Sequence, residues 1–433
     1  MRALGASRTS VATGGILGAN WARDPLWKNA RAVPSLDLRF AENKSLTDAK
    51  TGASLVTFTR ASTGTYVGSD GLLQSATTNE ARFDHNPTTG ESLGLLVEEA
   101  KTNLSLYSED FSNAYWTPLD CTITPNESTA PDGTLTADLW TNTATPGAIN
   151  NSITKDATAR TYTASLWVKG TMSQFTVTLD GNTTANRGRV QFNLSTNNPI
   201  GTPFNDGSFS ATSGTLTPYL NGWVRLTLTT TTNTTTTIRL RPFFSGASST
   251  LRVWGAQVEE GAFATSYIPT ATATATRAAD VASITGTAFS SFYNQTEGTV
   301  FAEANVLSSS YSTGVLWDLG AGGAFGSTEY IGWIGTGWQL GPNTAPINVA
   351  SSVSATLPSK IAAAIKLNNS IISAGGLLGA LDTSCTVPAS ASALTIGKGG
   401  WSGAGNHVNG TIKRLTYWPV RLANPTLVSI TTP

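Results

Sequence analysis

LRVWGAQVEEGAFATSYIPT, residues 251–270, holds two different chain habits side by side. Leu251, Val253 and Gly255 alternate with Arg252 and Trp254, the period of a strand with one buried face. Pro269 then drives Ile268 towards extended backbone, and the Thr/Ala run up to Thr276 has almost nothing to bury. The stretch reads as the closing strand of one module and the stiff exit into the next.

Upstream, residues 104–270 carry the clearest period of two: YTASLWVK from Tyr162, FTVTL from Phe175, VQFNL from Val190, WVRLTL from Trp223 and IRLRPF from Ile238. Turn sequences such as Asp180-Gly181-Asn182 and Asn205-Asp206-Gly207 separate these runs, which predicts an antiparallel sandwich or jelly roll. The threonine tract Thr227–Thr237 suits an exposed strand pair and carries no functional signal of its own.

Downstream, residues 271–433 give a second alternating set: GTVFAEA from Gly298, VLWDL from Val315, YIGWI from Tyr330, LTIG from Leu394 and GTIKRLTYW from Gly410. Ile361–Leu367 could also make a helical turn, but Leu357-Pro358 and Asn368-Asn369 leave too little length, so a strand is expected there. A short helix is expected after Asn424-Pro425.

Ahead of both modules, residues 34–103 hold short runs punctuated by Gly and Asn and read as a small β platform, with a hairpin at Ser69-Asp70-Gly71. Residues 1–33 lack any sustained period and read as an N-terminal attachment arm, with Trp21, Leu26 and Trp27 as candidate anchors into a neighbouring subunit. The expected class is all-β: tandem antiparallel sandwiches behind an extended arm.

Charged residues make up 12% of the 433, and the 27 basic and 27 acidic side chains cancel. A nucleic-acid partner needs a basic surplus, which is missing. No 18-residue apolar run and no apolar leader core occur, so neither a membrane span nor a secretory signal is expected, and release by lysis is one way out of a cell. Cys121 and Cys385 fall in different modules, so no disulfide is expected.

Catalysis has weak support. Glu98-Glu99 and Glu259-Glu260 are adjacent pairs, while Glu297 and Glu303 lie some 20 Å apart along a strand at about 3.3 Å per residue. A glycosidase needs two carboxyls about 5–10 Å apart across one bond. His85, in Asp84-His85-Asn86-Pro87, reads first as turn chemistry, and neither it nor His407 has a Cys or His at metal-ligand spacing. No cofactor is expected. Calcium is the one metal the turn aspartates Asp132 and Asp206 could take, although Asx turns explain them as well.

Glycan binding needs an exposed aromatic face with polar neighbours. Trp333 and Trp338 in YIGWIGTGWQLGPN and Trp401 in GKGGWSGAGNH are the candidates, whereas Trp167, Trp223, Trp254 and Trp317 are expected in cores.

Several stretches resemble a recurring pattern of bacteriophage structural proteins: LDLRFAENKSLTD, FTRASTGTYVGSDGLLQSATTNEARFDHNPTTGESLGLLVEEAKTNL, YSEDFSNAYWT and WGAQVEEGAFATSYIPT. They cover most of residues 35–117 and 254–270. YTASLWVKG and NGWVRLTLT resemble a carbohydrate-binding-module-like jelly roll. LTIGKGGW and NGTIKRLTYWPVRL resemble concanavalin A-like or laminin-G-like sandwiches.

The resemblance implies a non-enzymatic virion protein on the particle surface. It would be a homotrimeric tail fibre or appendage that contacts other virion proteins by its N-terminal part and adheres to host-surface polysaccharide. A capsid decoration or cement protein is the alternative it leaves open, and a polysaccharide depolymerase is a third.

Overall fold

The computed structural model describes residues 24–181, 185–306, 314–320, 329–334, 337–341, 343–344, 347–348, 351–354, 359–387, 391–399 and 407–433. These residues fold into two antiparallel β-sandwiches, so the all-β class read from the sequence holds.

Residues 104–270 build the middle sandwich from one unbroken piece of chain. A six-stranded sheet runs in the order Ser210–Pro218, Val224–Thr231, Thr161–Lys169, Thr250–Glu260, Ala137–Asn142, Cys121–Ser128. It faces an eight-stranded sheet centred on Phe175–Asp180. Trp140, Leu166, Phe175, Val177, Leu226, Leu251 and Val253 fill the space between them. Burial of side chains of this size contributes about 1.5–3 kcal/mol each, before the entropy of ordering them is set against it.

The strand Thr250–Glu260 departs from simple alternation at Gly255. The pairing register with Thr161–Lys169 shifts there, and Gly255 takes a left-handed φ of 68°. Leu251 and Val253 point into the core before the shift, and Ala256 and Val258 after it, so the inward phase moves by one residue. Gln257 and Glu259 are thereby turned to the outer face with Trp254. A Cβ on Gly255 would lie 2.7 Å from the Trp167 ring, so the bulge requires glycine.

The outer sandwich is made from both ends of the chain, which corrects the reading of 34–103 as a separate platform. One of its sheets runs Leu377–Leu378, Ile371–Ala374, Ser359–Lys366, Glu297–Val306, Gly410–Trp418, Ser92–Val97, Phe83–His85, with Leu36–Leu38 also paired to Gly410–Trp418. The other takes Thr57–Thr59 beside Val281–Thr285, then Ala393–Ile396, Gly314–Gly320, Glu329–Ile334, Gly337–Gly341 and Ser351–Ser354. Leu36, Leu38, Phe58, Leu95 and Val97 share a single core with Trp317, Ile361, Ile396 and Leu415. The early strands complete the ladder beside Gly410–Trp418, which would otherwise leave a long apolar edge. Ser359–Lys366 is a strand and Asn424–Thr431 a helix, as expected.

The arm boundary also moves. Pro25–Ala30 is a helix, started by Asp24, whose side chain accepts from the Leu26 and Trp27 amides, and by proline in its first turn. Trp27 is buried and donates its indole N–H to Asp37 at 3.2 Å, and Leu26 packs against the cluster of Leu422, Leu427 and Ile430. Both candidate anchors therefore hold this chain to its own outer sandwich. Asp24 and Asp37 are bound in turn by Arg39 and Arg414 at 2.7–3.0 Å. Trp21 lies outside the described residues.

Candidate functional site

Where the two sandwiches meet, charged side chains are buried together. Arg60, Arg82 and Arg277 are 2% exposed or less, and so are Glu98 and Asp280. Asp280 accepts from Arg60 Nη1 at 3.1 Å, from Arg82 Nη2 and from the Glu98 amide at 2.9 Å. Glu98 takes Arg82 at 2.8 Å, Arg277 at 3.5 Å, and both the amide and hydroxyl of Ser266. Against the cost of burial, Arg277 and Arg82 hold the Glu98 carboxyl down at about 2. Arg82 also donates to the Thr65 carbonyl and to Ser266, so the cluster ties the Gly64–Val67 hairpin to the 262–267 loop.

Glu259 is buried as well, and takes the Thr265 amide, the Thr265 hydroxyl and the Gln257 amide group. The Gln257 side-chain oxygen accepts from the Ile268 amide at 2.7 Å. The phase shift at Gly255 is what aims this pair at the loop. Glu260 is exposed and bonded to Arg160 at 2.6 Å. Glu99 pairs with Lys101 at 2.9 Å, so each of the four adjacent glutamates is engaged by a hydrogen bond or ion pair.

Beside the cluster opens a cleft of about 470 Å³, within the usual range of small-molecule sites. Its walls come from both sandwiches. The outer face of the six-stranded sheet supplies Thr215, Thr217, Arg225, Thr227 and Thr229, and the hairpin region of 65–98 supplies Tyr66, Asp84 and His85. Thr227 and Thr229, from the tract read as uninformative, therefore line the site.

Asp84 and His85 are neighbours in sequence, yet both bond the same residue of the adjacent strand. The Val67 amide donates to Asp84 Oδ1 at 2.7 Å, and His85 Nδ1–H donates to the Val67 carbonyl at 2.9 Å. A register shift between Asp84 and His85 in the pairing with Ser92–Val97 accompanies this. Burial pushes the Asp84 carboxyl up to about 6 against the opposing bond from Val67. His85 is 5% exposed, and its Nε2 has no hydrogen-bond partner among the described residues. A second cavity of about 330 Å³ adjoins on the far side of Tyr66 and His85.

Arg225 lies across Trp167 with its guanidinium carbon 4.5 Å from the ring centre, and gives Nη2 to Ser165 Oγ and the Thr265 carbonyl at 3.0 and 2.8 Å. Trp167, Trp223, Trp254, Tyr219 and Tyr267 form the apolar floor under the joint with Val67 and Leu73. Trp254 is core, as expected.

Of the glycan candidates read from the sequence, Trp338 is fully buried in the outer sandwich and offers no exposed face. Alternation along Gly337–Gly341 sends Trp338 and Leu340 inward together. Trp333 stands opposite it in the ladder, but its side chain, like all of Trp401, lies outside what is described. Asp132 makes an Asx turn with Thr134, and Asp206 pairs with Arg187 at 3.2 Å. Among the described residues no group of three or more His, Cys, Asp or Glu could hold a metal ion. No described helix is long and apolar enough to cross a membrane.

No protein-family model matches this chain, and no curated protein matches it. Solved structures are similar only distantly. The carbohydrate-binding module (CBM40) of Ruminococcus gnavus IT-sialidase bound to α2,3-sialyllactose is 15% identical over 32% of this chain and 84% of its own, with a TM-score of 0.28. Trypanosoma rangeli sialidase in complex with DANA is 10% identical over 72% and 62%, TM-score 0.28. Mouse laminin α1 domains LG4-5 are 9% identical over 75% and 88%, TM-score 0.20. Scores this low carry no argument about this chain.

Proposed function

We propose that this protein is a non-enzymatic structural component of a bacteriophage virion, a fibre or appendage that adheres to host-surface glycans through the cleft between its sandwiches. The observation that carries the reading is where the phage-like sequence blocks converge. Arg60, Arg82, Asp84, His85 and Glu98 from one block and Thr265 and Ser266 from another contribute to the ion cluster and to one wall of the cleft, with Gln257 and Glu259 holding the 265–268 segment from behind. A binding role is favoured over hydrolysis because both Glu98 oxygens are taken, which leaves Asp84 without an ionised partner poised across a substrate.

Particle attachment falls to the N-terminal residues ahead of Asp24, and a homotrimer is the assembly this reading expects. The purified chain should be retained on host-surface polysaccharide without shortening it, and light scattering should give a trimer mass at micromolar concentration. Shortened polysaccharide would indicate a depolymerase. Absence of retention, with the protein located by labelling on the head, would favour the decoration reading.

A further inference from the structure

We propose that the cleft takes an uncharged sugar ring whose hydroxyls donate to the Asp84 carboxylate and to His85 Nε2. This rests on the glycan-adhesion reading and narrows its ligand.

The hydrogen-bonding character of the walls sets the class. Because His85 Nδ1–H is committed to the Val67 carbonyl, Nε2 is the ring's acceptor when uncharged, and that buried atom has no partner among the described residues on a side chain that lines the cleft. Asp84 uses Oδ1 for the Val67 amide and lines the cleft beside it. Two adjoining acceptors call for a ligand rich in O–H donors, since a buried acceptor left unmade costs more than a satisfied one gains.

An acidic ligand is disfavoured at the same place. Its carboxylate, sulfate or phosphate would sit beside the Asp84 carboxylate. Among the described wall residues the one guanidinium, Arg225, lies across Trp167 and gives Nη2 to Ser165 and the Thr265 carbonyl, while its buried Nε has no partner. On the opposite wall the Thr215 and Thr227 hydroxyls bond each other at 2.7 Å, which leaves one O–H of that pair and the Thr217 hydroxyl to meet a ring edge. Tyr66, half-buried at the mouth of both cavities, supplies an aromatic side for the apolar face of the ring.

The test uses the full chain on immobilised neutral polymers (glucan, mannan, galactan) and on polygalacturonate, with free hexoses as competitors. Two variants approach the cleft from opposite walls. Asp84→Asn keeps an oxygen for the Val67 amide but removes the charge, and Thr215→Trp fills the cleft from an exposed strand position. Unchanged circular dichroism and melting would show that both variants fold.

Retention on at least one neutral polymer, weakened tenfold or more in both variants, is the expected result. Retention undisturbed by both variants overturns the inference and leaves glycan adhesion standing, located elsewhere. Retention on polygalacturonate alone overturns the uncharged class. No retention on any polymer overturns both readings.

Discussion

The middle sandwich is written in one continuous piece of chain, whereas the outer sandwich needs two pieces, one from each end, with the middle sandwich inserted between them. Each has a hydrophobic core of its own. They differ in what closes them. The middle sandwich is complete once its own strands pair, while the outer one is closed by strands 36–38, 57–59 and 92–97 and clamped by Arg60, Arg82, Arg277, Glu98 and Asp280. An inserted domain thus leaves a joint, and the joint holds both a five-residue cluster of buried charge and the cleft.

Cutting the chain separates the two most sharply. Residues 104–270 alone should fold cooperatively, giving dispersed amide resonances and a single unfolding transition. Residues 271–433 alone should stay unfolded, because Gly410–Trp418 loses its neighbours Leu36–Leu38 and Ser92–Val97. A folded 271–433 fragment would break the comparison.

Next in size is the clamp. Asp280→Ala leaves Arg60 and Arg82 buried without their shared carboxylate, and removing one partner of a buried ion pair costs about 3–5 kcal/mol. Urea unfolding should show the loss, and hydrogen exchange should place it in the outer sandwich, with the middle core nearly unchanged.

Acid should pull the two regions in opposite directions. Burial, helped by Lys398, holds buried His407 down at about 4, so it folds uncharged. Its contribution is full above the unfolded value of 6.5 and is lost as pH falls towards 4, a loss reaching roughly 3 kcal/mol. In the middle sandwich burial pushes Asp138 up to about 6. That contribution is full below 3.8 and lost as pH rises through 6, again roughly 3 kcal/mol at most.

Asp84, also raised to about 6, partly offsets the effect of His407 within the outer sandwich. Variants resolve the terms. Region-resolved exchange between pH 7 and 5 should show a smaller acid loss in His407→Gln, and in Asp138→Asn a middle sandwich that no longer changes with pH through this group but is weaker throughout, because the two carboxylate oxygens accept from the Phe111 and Asn126 amides and an amide side chain can accept only one of them. No change in either variant would contradict the assignment.

The smallest of these effects is local. Gly255→Ala forces a side chain into left-handed backbone against Trp167, costing about 1–3 kcal/mol, and should lower the melting temperature of the middle sandwich more than that of the outer one.

Much of this architecture was legible in the sequence because alternation is local. The strands Thr161–Lys169, Phe175–Asp180 and Gly410–Trp418 all stand where period two put them. Strand partnership was not legible, since nothing in SLGLLV says that its neighbour lies more than 300 residues later. The same limit hid the cleft, because Asp84 and Thr227 meet only after an inserted domain folds.

Within 251–270, alternation gave the right faces as far as Trp254. The bulge at Gly255 then shifted the phase and made Gln257 and Glu259 the buried posts of the 265–268 segment. Trp338 was misplaced for a related reason: the glycine-spaced tryptophans do not show which face of a strand each takes, and Trp338 stands on the inner face, in the core.

Hydrogen exchange of the intact chain with and without a bound neutral polysaccharide tests the central claim most directly. Protection should appear together at Val67, His85 and the 215–229 strands, the two walls of one cleft. Protection confined instead to the Tyr330–Asn343 tract and the residues around Trp401, with the cleft walls unchanged, would contradict it.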